Sequence, residues 1–439
     1  MPAAPPTFPA ELPVEPLSGP LDATVVVPGS KSLTNRALVA ASLASGTSVI
    51  EGALFADDTE AMVRALQALG FDVLAEPAAA RLTVTGAAGA VPRAEASINT
   101  RLSGTTTRFI VPVAALGRGR FLVDADGSMR TRPMDDTIAA LRSLGAGIDD
   151  AANPGHVPFT IEARGLRGGT VALPGDTSSQ FLSGLLLAAP AMDGPLRVEL
   201  TTELVSRSYV GLTGAVMDAF GARLDEPDDH TFLVSPSGYR ATGYRVEPDA
   251  SAASYLFAAA AICDGRVRVE GLGAASRQGD ARFVDLLEQM GAEVRREADA
   301  IEVLGTGRLD GIEVDMSDLS DTAQTLAAVA AFAATPTRAT GIGFIRRKET
   351  DRIAAVVAEL RRCGVDAAEE DDGFVVRPGG VHGALVRTYD DHRMAMSFAL
   401  LGLRVPGIRI ADPACVTKTF PTFFQVLDGL RVGPAAPAG

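Results

Sequence analysis

The sequence contains few cysteines and no Cys-x-x-Cys pair. Its three cysteines, Cys263, Cys363 and Cys415, are widely spaced and odd in number. A disulfide framework or a structural zinc site is therefore not expected. This usage of cysteine fits a reducing compartment, and we expect a cytoplasmic protein.

Positive charge and long apolar runs are also scarce. The 54 acidic residues exceed the 40 basic ones and give a net charge of −14. No broad basic face is available for nucleic-acid phosphates, so a nucleic-acid partner is not expected. The longest apolar run, near residues 181–192, is too short to span a bilayer, and the N-terminus lacks the features of a secretory signal. Residues 1–9 and 433–439 are expected to be loose tails.

Lysine is rare among the basic residues. Only Lys31, Lys348 and Lys418 are lysines, and the other basic residues are arginines. A lysine ammonium is a compact charge with a tunable pKa, whereas a guanidinium is planar and always charged. All three lysines lie in segments that other features single out, so we interpret them as functional positions.

What the sequence has in abundance is a repeat of about 72 residues. Each copy contains a small-residue apolar helix, a strand, an amphipathic helix and short alternating strands, which predicts a βαβαββ unit repeated six times. The apolar helices begin near Leu38, Phe109, Phe181, Leu256, Leu326 and Phe398. Because they are apolar nearly all round, we expect them to be buried, with the sheets forming the outer faces of an α/β (α+β) protein. The length predicts two domains.

Polar and basic residues recur just before these apolar helices. Unpaired N–H groups at a helix start favour anions, and Lys, Arg, Ser and Thr side chains add donors. An N-cap explains any one such segment equally well, and the segment around Lys31 does not have the spacing of a P-loop. Their recurrence at one phase of the repeat predicts a site for a multiply anionic ligand or for two anionic ligands.

Two carboxylates lie among these cations and are candidates for proton transfer. Asp321 precedes the fifth apolar helix, and Glu349 lies within the charged run Arg346–Arg352. Asp321 is a candidate base if Lys348 and Arg352 face it. His392 has no second histidine at ligand spacing, so we expect a structural role rather than a metal site.

Five segments together resemble the 3-phosphoshikimate 1-carboxyvinyltransferase (EPSP synthase) family of enolpyruvyl transferases over nearly the whole chain. They are PGSKSLTNRAL, SSQFL, RRKETDR, DDHRMAM and DPACVTKTFP. The resemblance implies an inside-out α/β barrel with two domains of three units each. Residues 1–28 plus 247–439 would form the phosphoenolpyruvate side and residues 29–246 the shikimate 3-phosphate side, with the active site in the cleft between them.

The implied reaction transfers the enolpyruvyl group of phosphoenolpyruvate to the 5-hydroxyl of shikimate 3-phosphate and releases phosphate. It proceeds by addition and elimination through a tetrahedral intermediate, in the shikimate pathway to chorismate and the aromatic amino acids. The family is the target of glyphosate. The resemblance further implies a monomer, with no metal and no organic cofactor.

The resemblance also assigns the site residues. It assigns contacts with shikimate 3-phosphate to Lys31, Ser32, Arg36, Ser178, Ser179, Gln180, Ser206, Tyr209 and Lys348. It assigns contacts with phosphoenolpyruvate to Lys31, Gly104, Arg132, Arg352, Arg393 and Lys418. Asp321 matches the base for the 5-hydroxyl, Glu349 matches the proton donor to the vinyl carbon, and Lys31 completes the catalytic set.

The chain departs from the family pattern at Leu102, Phe109 and Phe344. Gly104 is kept, so we expect phosphoenolpyruvate binding to survive and glyphosate to inhibit. One alternative is a UDP-N-acetylglucosamine enolpyruvyl transferase, but that enzyme commonly uses a cysteine in the second copy, and no cysteine precedes Cys263 here. A non-catalytic anion-binding homologue and an RNA-terminal phosphate cyclase are further alternatives.

Overall fold

The computed structural model describes residues 7–430 and divides them into two compact units. The continuous unit is Gly29–Glu247, and the discontinuous unit combines residues 7–28 with residues 248–430. Glu247 thus groups with the continuous unit, one residue beyond the boundary that the resemblance implied. Most of the expected tails lie outside the described residues, but Phe8 packs edge-on against Phe424 with ring centroids 6.0 Å apart.

Helices of two kinds alternate along the chain. Those within residues 7–430 are α1 (Lys31–Leu43), α2 (Asp57–Ala68), α3 (Gly104–Ala115), α4 (Asp135–Ser143), α5 (Ser179–Ala188), α6 (Arg207–Ala219), α7 (Ala250–Ile262), α8 (Phe283–Met290), α9 (Ala323–Ala330), α10 (Arg352–Arg362), α11 (His392–Gly402) and α12 (Phe423–Gly429). The odd-numbered helices are the Ala- and Leu-rich ones and are buried on nearly every face. The even-numbered helices bury only one stripe, as their three-and-four apolar spacing predicts.

The buried helices begin two to seven residues earlier than the apolar pattern predicted. Polar side chains start them: the hydroxyl of Ser30 accepts from the N–H of Leu33, and that of Ser103 accepts from the N–H of Thr106. Asp391 caps α11 in the same way. The recurring polar segments are therefore the caps and first turns of the buried helices rather than loops before them.

The strands are short, and they are numbered here in chain order. In the first segment of the discontinuous unit they are β1 (Glu11–Pro13) and β2 (Asp22–Val25). In the continuous unit they are β3 (Ala44–Glu51), β4 (Asp72–Glu76), β5 (Arg81–Ala87), β6 (Glu95–Asn99), β7 (Arg118–Asp124), β8 (Gly147–Asp149), β9 (Phe159–Arg164), β10 (Gly169–Leu173), β11 (Leu196–Leu200), β12 (Leu224–Asp228), β13 (Thr231–Val234), β14 (Tyr239–Arg240) and β15 (Gly243–Arg245). In the second segment of the discontinuous unit they are β16 (Arg266–Glu270), β17 (Glu293–Arg296), β18 (Ala300–Leu304), β19 (Glu313–Asp315), β20 (Thr337–Thr340), β21 (Asp366–Glu370), β22 (Gly373–Arg377), β23 (Leu385–Val386) and β24 (Arg409–Ala411).

Each repeat builds one small sheet that combines parallel and antiparallel pairing, and four of the six sheets in the described residues have the same four-stranded pattern. In the second repeat the order is β6-β7-β9-β8, with β6 and β7 parallel and the other pairs antiparallel. The parallel pair is joined by the buried helix α3, as a crossover requires. On β7, Phe121 and Val123 are buried while Leu122 between them is exposed. One face of the sheet therefore covers the helices, and the other faces solvent.

The repeats are not contiguous in sequence. The strand β2 lies a few residues before α1 in the chain, yet it pairs with β16 in the discontinuous unit. The parallel partners of β3 are β14 and β15, which follow the third repeat. The sixth sheet has three strands in the order β1-β24-β23.

Within the described part of the chain, no helix is both long and apolar enough to cross a membrane.

Candidate active site

Three cations of the discontinuous unit surround the carboxylate of Asp321. Its Oδ1 lies 2.6 Å from Nζ of Lys348 and 3.2 Å from Nη1 of Arg352, and its Oδ2 lies 2.7 Å from Nη2 of Arg393. Asp321 is in a 3₁₀ turn (Ser320–Thr322) directly before α9, while Arg352 and Arg393 lie in the first turns of α10 and α11. The condition set for Asp321 as a base, that Lys348 and Arg352 face it, is met.

Arg352 links this carboxylate to two others. Its side chain is buried, and it donates from Nε to Asp391 and from Nη2 to Glu349, each at 2.8 Å. Burial lowers the pKa of Arg352, but the neighbouring charges of Asp391, Glu349 and Asp321 outweigh this and raise it overall. The guanidinium thereby fixes both proton-transfer candidates relative to each other.

Two lysines complete the cluster. Lys348 also donates to the hydroxyl of Ser320 at 3.3 Å, and Nζ of Lys418 lies 3.9 Å from Oε1 of Glu349. Removal of the Lys348 ammonium from water lowers its pKa, although Asp321 opposes the shift. Two of the three lysines of the chain therefore contact the two candidate proton carriers.

Sequence reasoning missed several residues of this cluster. Asp391 lies within the segment DDHRMAM, and sequence reasoning gives it no role, although an acid just before an apolar helix is a recognisable capping signal. Asp280 accepts from the hydroxyl of Ser251, and burial together with the charge of Asp321 raises the pKa of Asp280 to about 6. Tyr255 receives a hydrogen bond from Arg393 at 3.4 Å. No sequence signal marks Asp280 or Tyr255, because tertiary packing alone brings them to the cluster.

In the continuous unit, Arg36 is buried among neutral groups. Its Nε donates to the hydroxyl of Thr213 at 2.8 Å, Nη1 to the carbonyl of Ser32 at 2.9 Å and Nη2 to the carbonyl of Tyr209 at 3.1 Å. The guanidinium also lies over the ring of Phe109, 5.1 Å from its centroid. Burial lowers the pKa of Arg36 to about 10, because these neutral partners do not replace the lost hydration of the cation.

Gly104 opens α3 beside two further guanidinium groups. A Cβ at this position would lie 2.7 Å from Nη1 of Arg108 and 2.8 Å from Nη1 of Arg132. Arg108 donates to Oε1 of Gln180 at 3.0 Å, so the predicted residues Gly104, Arg132 and Gln180 belong to one neighbourhood. Arg108, to which the sequence analysis assigns no role, is the side chain that joins them.

The remaining predicted residues also lie near the starts of helices. Nζ of Lys31 lies 3.5 Å from Oδ2 of the buried Asp58, a partner that sequence reasoning did not identify. Ser178 caps α5 by accepting from the N–H of Gln180 at 3.3 Å, so the capping interpretation holds for this residue. The structure places ten predicted residues in the continuous unit: Lys31, Ser32, Arg36, Gly104, Arg132, Ser178, Ser179, Gln180, Ser206 and Tyr209. It places six in the discontinuous unit: Asp321, Lys348, Glu349, Arg352, Arg393 and Lys418.

Two of the departures from the family pattern place an aromatic ring against a predicted site cation. Phe109 lies under Arg36, and Nζ of Lys348 is 5.5 Å from the ring centroid of Phe344. An aromatic face attracts a cation without neutralising it. Both substitutions are therefore compatible with cations that remain able to bind an anion.

Comparisons with known proteins identify the family and the fold. The family model described as EPSP synthase (3-phosphoshikimate 1-carboxyvinyltransferase) matches residues 17–427. A 3-phosphoshikimate 1-carboxyvinyltransferase of Nostoc punctiforme is 45% identical over 417 residues, covering 94% of this chain and 98% of the relative. One of Methanoculleus marisnigri is 44% identical over 414 residues, covering 94% and 97%. The solved structure of EPSP synthase from Acinetobacter baumannii has a TM-score of 0.82 at 26% identity, covering 96% of this chain and 98% of that one.

These findings confirm the predictions of family, fold class and enzymatic reaction. The UDP-N-acetylglucosamine alternative is not favoured, since the relatives are named for the shikimate acceptor. Because the family model spans most of the sequence and the relatives match along nearly their whole length, the chain belongs to the 3-phosphoshikimate 1-carboxyvinyltransferase (EPSP synthase) family.

Proposed function

We propose that the two clusters of charged side chains divide the work of an enolpyruvyl transfer. The enzyme joins the 5-hydroxyl oxygen of shikimate 3-phosphate to C2 of phosphoenolpyruvate and releases phosphate, a step of the shikimate pathway. The observation that carries the division of roles is the arrangement around Asp321 and Glu349, where two carboxylates share the buried guanidinium of Arg352.

In the addition step, Asp321 accepts the proton of the 5-hydroxyl as its oxygen bonds to C2. Glu349 gives a proton to C3, so the double bond of phosphoenolpyruvate is lost and a tetrahedral intermediate forms. In the elimination step the Glu349 carboxylate takes a proton from C3 and the double bond returns. The bond between C2 and the phosphate oxygen breaks with its electron pair leaving on phosphate, and Asp321 gives its proton to the departing phosphate. Each carboxylate is held by cations, which fixes its direction before substrate arrives.

Arg352, Arg393 and Lys418, together with Lys31, Gly104 and Arg132, are the proposed contacts of phosphoenolpyruvate. Negative charge grows on the departing phosphate, and preorganised cations stabilise that charge more in the transition state than in the bound substrate. Asp321 pairs with Arg352 and Arg393, and Glu349 lies beside Lys418. Positive charge is thus available beside both proton carriers.

Shikimate 3-phosphate is proposed to contact Lys31, Ser32, Arg36, Ser178, Ser179, Gln180, Ser206, Tyr209 and Lys348. Arg36 supports this assignment because its cation is buried among neutral oxygens, which lowers its pKa to about 10. An anion brought close to such a guanidinium gains more than it would beside an exposed arginine, since little water screens the pair. The 3-phosphate and the carboxylate of the acceptor are both suitable anions.

Further properties of the enzyme are proposed on the basis of family membership and of the sequence. We propose a cytoplasmic monomer that works without a metal or an organic cofactor, and a reaction that uses side chains of both units. We also propose inhibition by glyphosate, since Gly104 is kept beside Arg108 and Arg132. Inhibition only at very high concentrations of glyphosate would reject the last of these proposals.

The first experiment measures phosphate release from phosphoenolpyruvate with shikimate 3-phosphate or with UDP-N-acetylglucosamine as acceptor. We expect release with shikimate 3-phosphate alone. Release with neither acceptor would indicate a non-catalytic anion-binding protein, and release with the nucleotide sugar would indicate the other transferase. Replacing Lys31 by Ala is expected to abolish turnover while the far-ultraviolet circular dichroism spectrum stays unchanged.

A further inference from the structure

A strained turn directly precedes Asp391. The N–H of Asp391 donates to the carbonyl of Thr388 at 2.9 Å, and the two residues between them, Tyr389 and Asp390, have φ angles of 55° and 57°. Positive φ at both central positions is the signature of a type I′ turn, which favours Asn and Gly. Each residue with a side chain in this region costs about 1–2 kcal/mol, so the surroundings must hold the turn in place.

The buried carboxylate of Glu359 holds this turn. Glu359 is 0% exposed, and its Oε1 accepts from the hydroxyl of Tyr389 at 2.7 Å. Its Oε2 accepts from the backbone N–H of Arg387 at 3.0 Å and from Nε of Arg362 at 2.9 Å. Tyr389 therefore supplies a tether that Gly or Asn at the same position could not supply.

The same helix holds the other end of the segment. Arg352 and Glu359 are seven residues apart on α10, which places them two turns apart on a common face. Arg352 donates to Asp391 at 2.8 Å, and Asp391 in turn accepts from the N–H of Arg393 at 2.9 Å. Residues 387–391 are thus fastened to α10 at two points, and the second point is the guanidinium that also contacts Asp321 and Glu349.

We propose that Glu359 and Tyr389 are positioning residues for enolpyruvyl transfer. By holding the strained turn they keep Asp391 in place, and Asp391 keeps Arg352 and Arg393 directed at the carboxylate of Asp321. The inference rests on the proposed roles of Arg352 and Arg393 as contacts of phosphoenolpyruvate. It predicts that loss of the tether affects the use of phosphoenolpyruvate more than the use of shikimate 3-phosphate.

Tyr389→Phe is the main test because it removes the hydroxyl and keeps the ring. We expect kcat/KM for phosphoenolpyruvate to fall roughly tenfold, since small displacements of positioning groups have effects of this size or larger. We expect KM for shikimate 3-phosphate to change less than twofold. Glu359→Gln, which also disturbs the bond from Arg387, should show the same selective loss to a larger degree. If that variant does not fold, Tyr389→Phe decides alone.

Arg361→Ala is the matched control. Arg361 lies on the same helix but donates to the carbonyl of Ala367 at 2.7 Å, so its removal is expected to leave kcat and both KM values near those of the wild type. The proposal is overturned if Tyr389→Phe keeps wild-type kcat/KM for phosphoenolpyruvate, if Arg361→Ala shows the same loss, or if KM rises equally for both substrates. Wild-type protein assayed in parallel separates the two claims, because absence of phosphate release there would reject the proposed function itself.

Discussion

Two buried arginines of this protein, one in each unit, have opposite electrostatic surroundings. Arg36 donates to a hydroxyl and to backbone carbonyls, and burial lowers its pKa to about 10. Arg352 donates to three carboxylates, which raise its pKa despite burial. The charge of Arg36 is not neutralised by its partners and remains available to an anionic ligand. The charge of Arg352 is balanced by carboxylates, which it holds in position. Burial alone therefore does not define the role of an arginine. Its hydrogen-bond partners decide whether it is suited to bind an anionic ligand or to position neighbouring carboxylates.

The largest expected effect comes from removing the carboxylate that three cations surround. Asp321→Asn is expected to lower kcat about 10²- to 10⁴-fold, the range of a lost general base. Phosphate release at saturating substrates measures this effect. Asp318→Asn is the control, since Asp318 lies three residues away and pairs with Arg282 at 3.5 Å. A variant Asp321→Asn with more than a tenth of wild-type kcat would contradict the assigned role.

Replacing each arginine by methionine should reveal the difference between their environments as a difference in unfolding free energy. Arg352→Met leaves three carboxylates without their shared cation, and we expect a loss of about 3–5 kcal/mol in unfolding free energy. Arg36→Met leaves only neutral partners and should cost about 1–3 kcal/mol. Denaturant unfolding measures both. Equal losses in the two variants would contradict the difference between the two environments.

The start of α3 offers a smaller and more local test. In Gly104→Ala the new methyl group would lie 2.7 Å and 2.8 Å from two guanidinium nitrogens, so Arg108 and Arg132 must move. We expect a rise of roughly tenfold in KM for phosphoenolpyruvate and a stability cost of about 1–3 kcal/mol. Gly211→Ala is the control, because a Cβ there meets nothing within 4 Å. An unchanged KM in Gly104→Ala would remove Gly104 from the list of phosphoenolpyruvate contacts.

The smallest effect concerns the pH dependence of stability. Burial raises the pKa of Asp280 from 3.8 to about 6, so the native state binds more protons than the unfolded state between these values. The unfolding free energy contributed by this group therefore falls as pH rises from about 4 to about 6. Asp280→Asn cannot ionise, and its stability relative to the wild type should increase over that interval. A difference between the two proteins that is constant from pH 4 to pH 7 would contradict this.

Local patterns predicted the elements of the fold better than their connections. The Ala- and Leu-rich helices were recognisable because burial on every face requires apolar residues on every face. Their first turns were not, since capping residues such as Ser103 are polar and resemble loop sequence. The partner of β2 lies some 240 residues away in β16, and a strand carries no local record of a distant partner. The position of β2 just before α1 in the sequence therefore does not indicate which sheet it joins.

The site shows the same limit. Asp321, Glu349 and Arg352 could be predicted because Asp321 is an acid just before an apolar helix, and the other two belong to a conspicuous charged run. Asp58, Asp280 and Glu359 could not, because each is an ordinary acid in sequence and acquires its role only when another element packs against it. The neutral surroundings of Arg36 likewise depend on Thr213, which is 177 residues away. The residues proposed to touch substrate are therefore easier to recognise in the sequence than the residues that position them.

β1 and β2 precede the continuous unit in the chain but belong to sheets of the discontinuous unit. This has a consequence for the order of assembly during synthesis. The continuous unit is complete once Glu247 has been made, so its contacts can form while the rest of the chain is still being added. The strands β1 and β2 are made before the continuous unit, yet β2 must wait for β16 and β1 must wait for β24. Closing such long loops is entropically costly and slow. β1 and β2 are thus made before the continuous unit but pair with their partner strands after it.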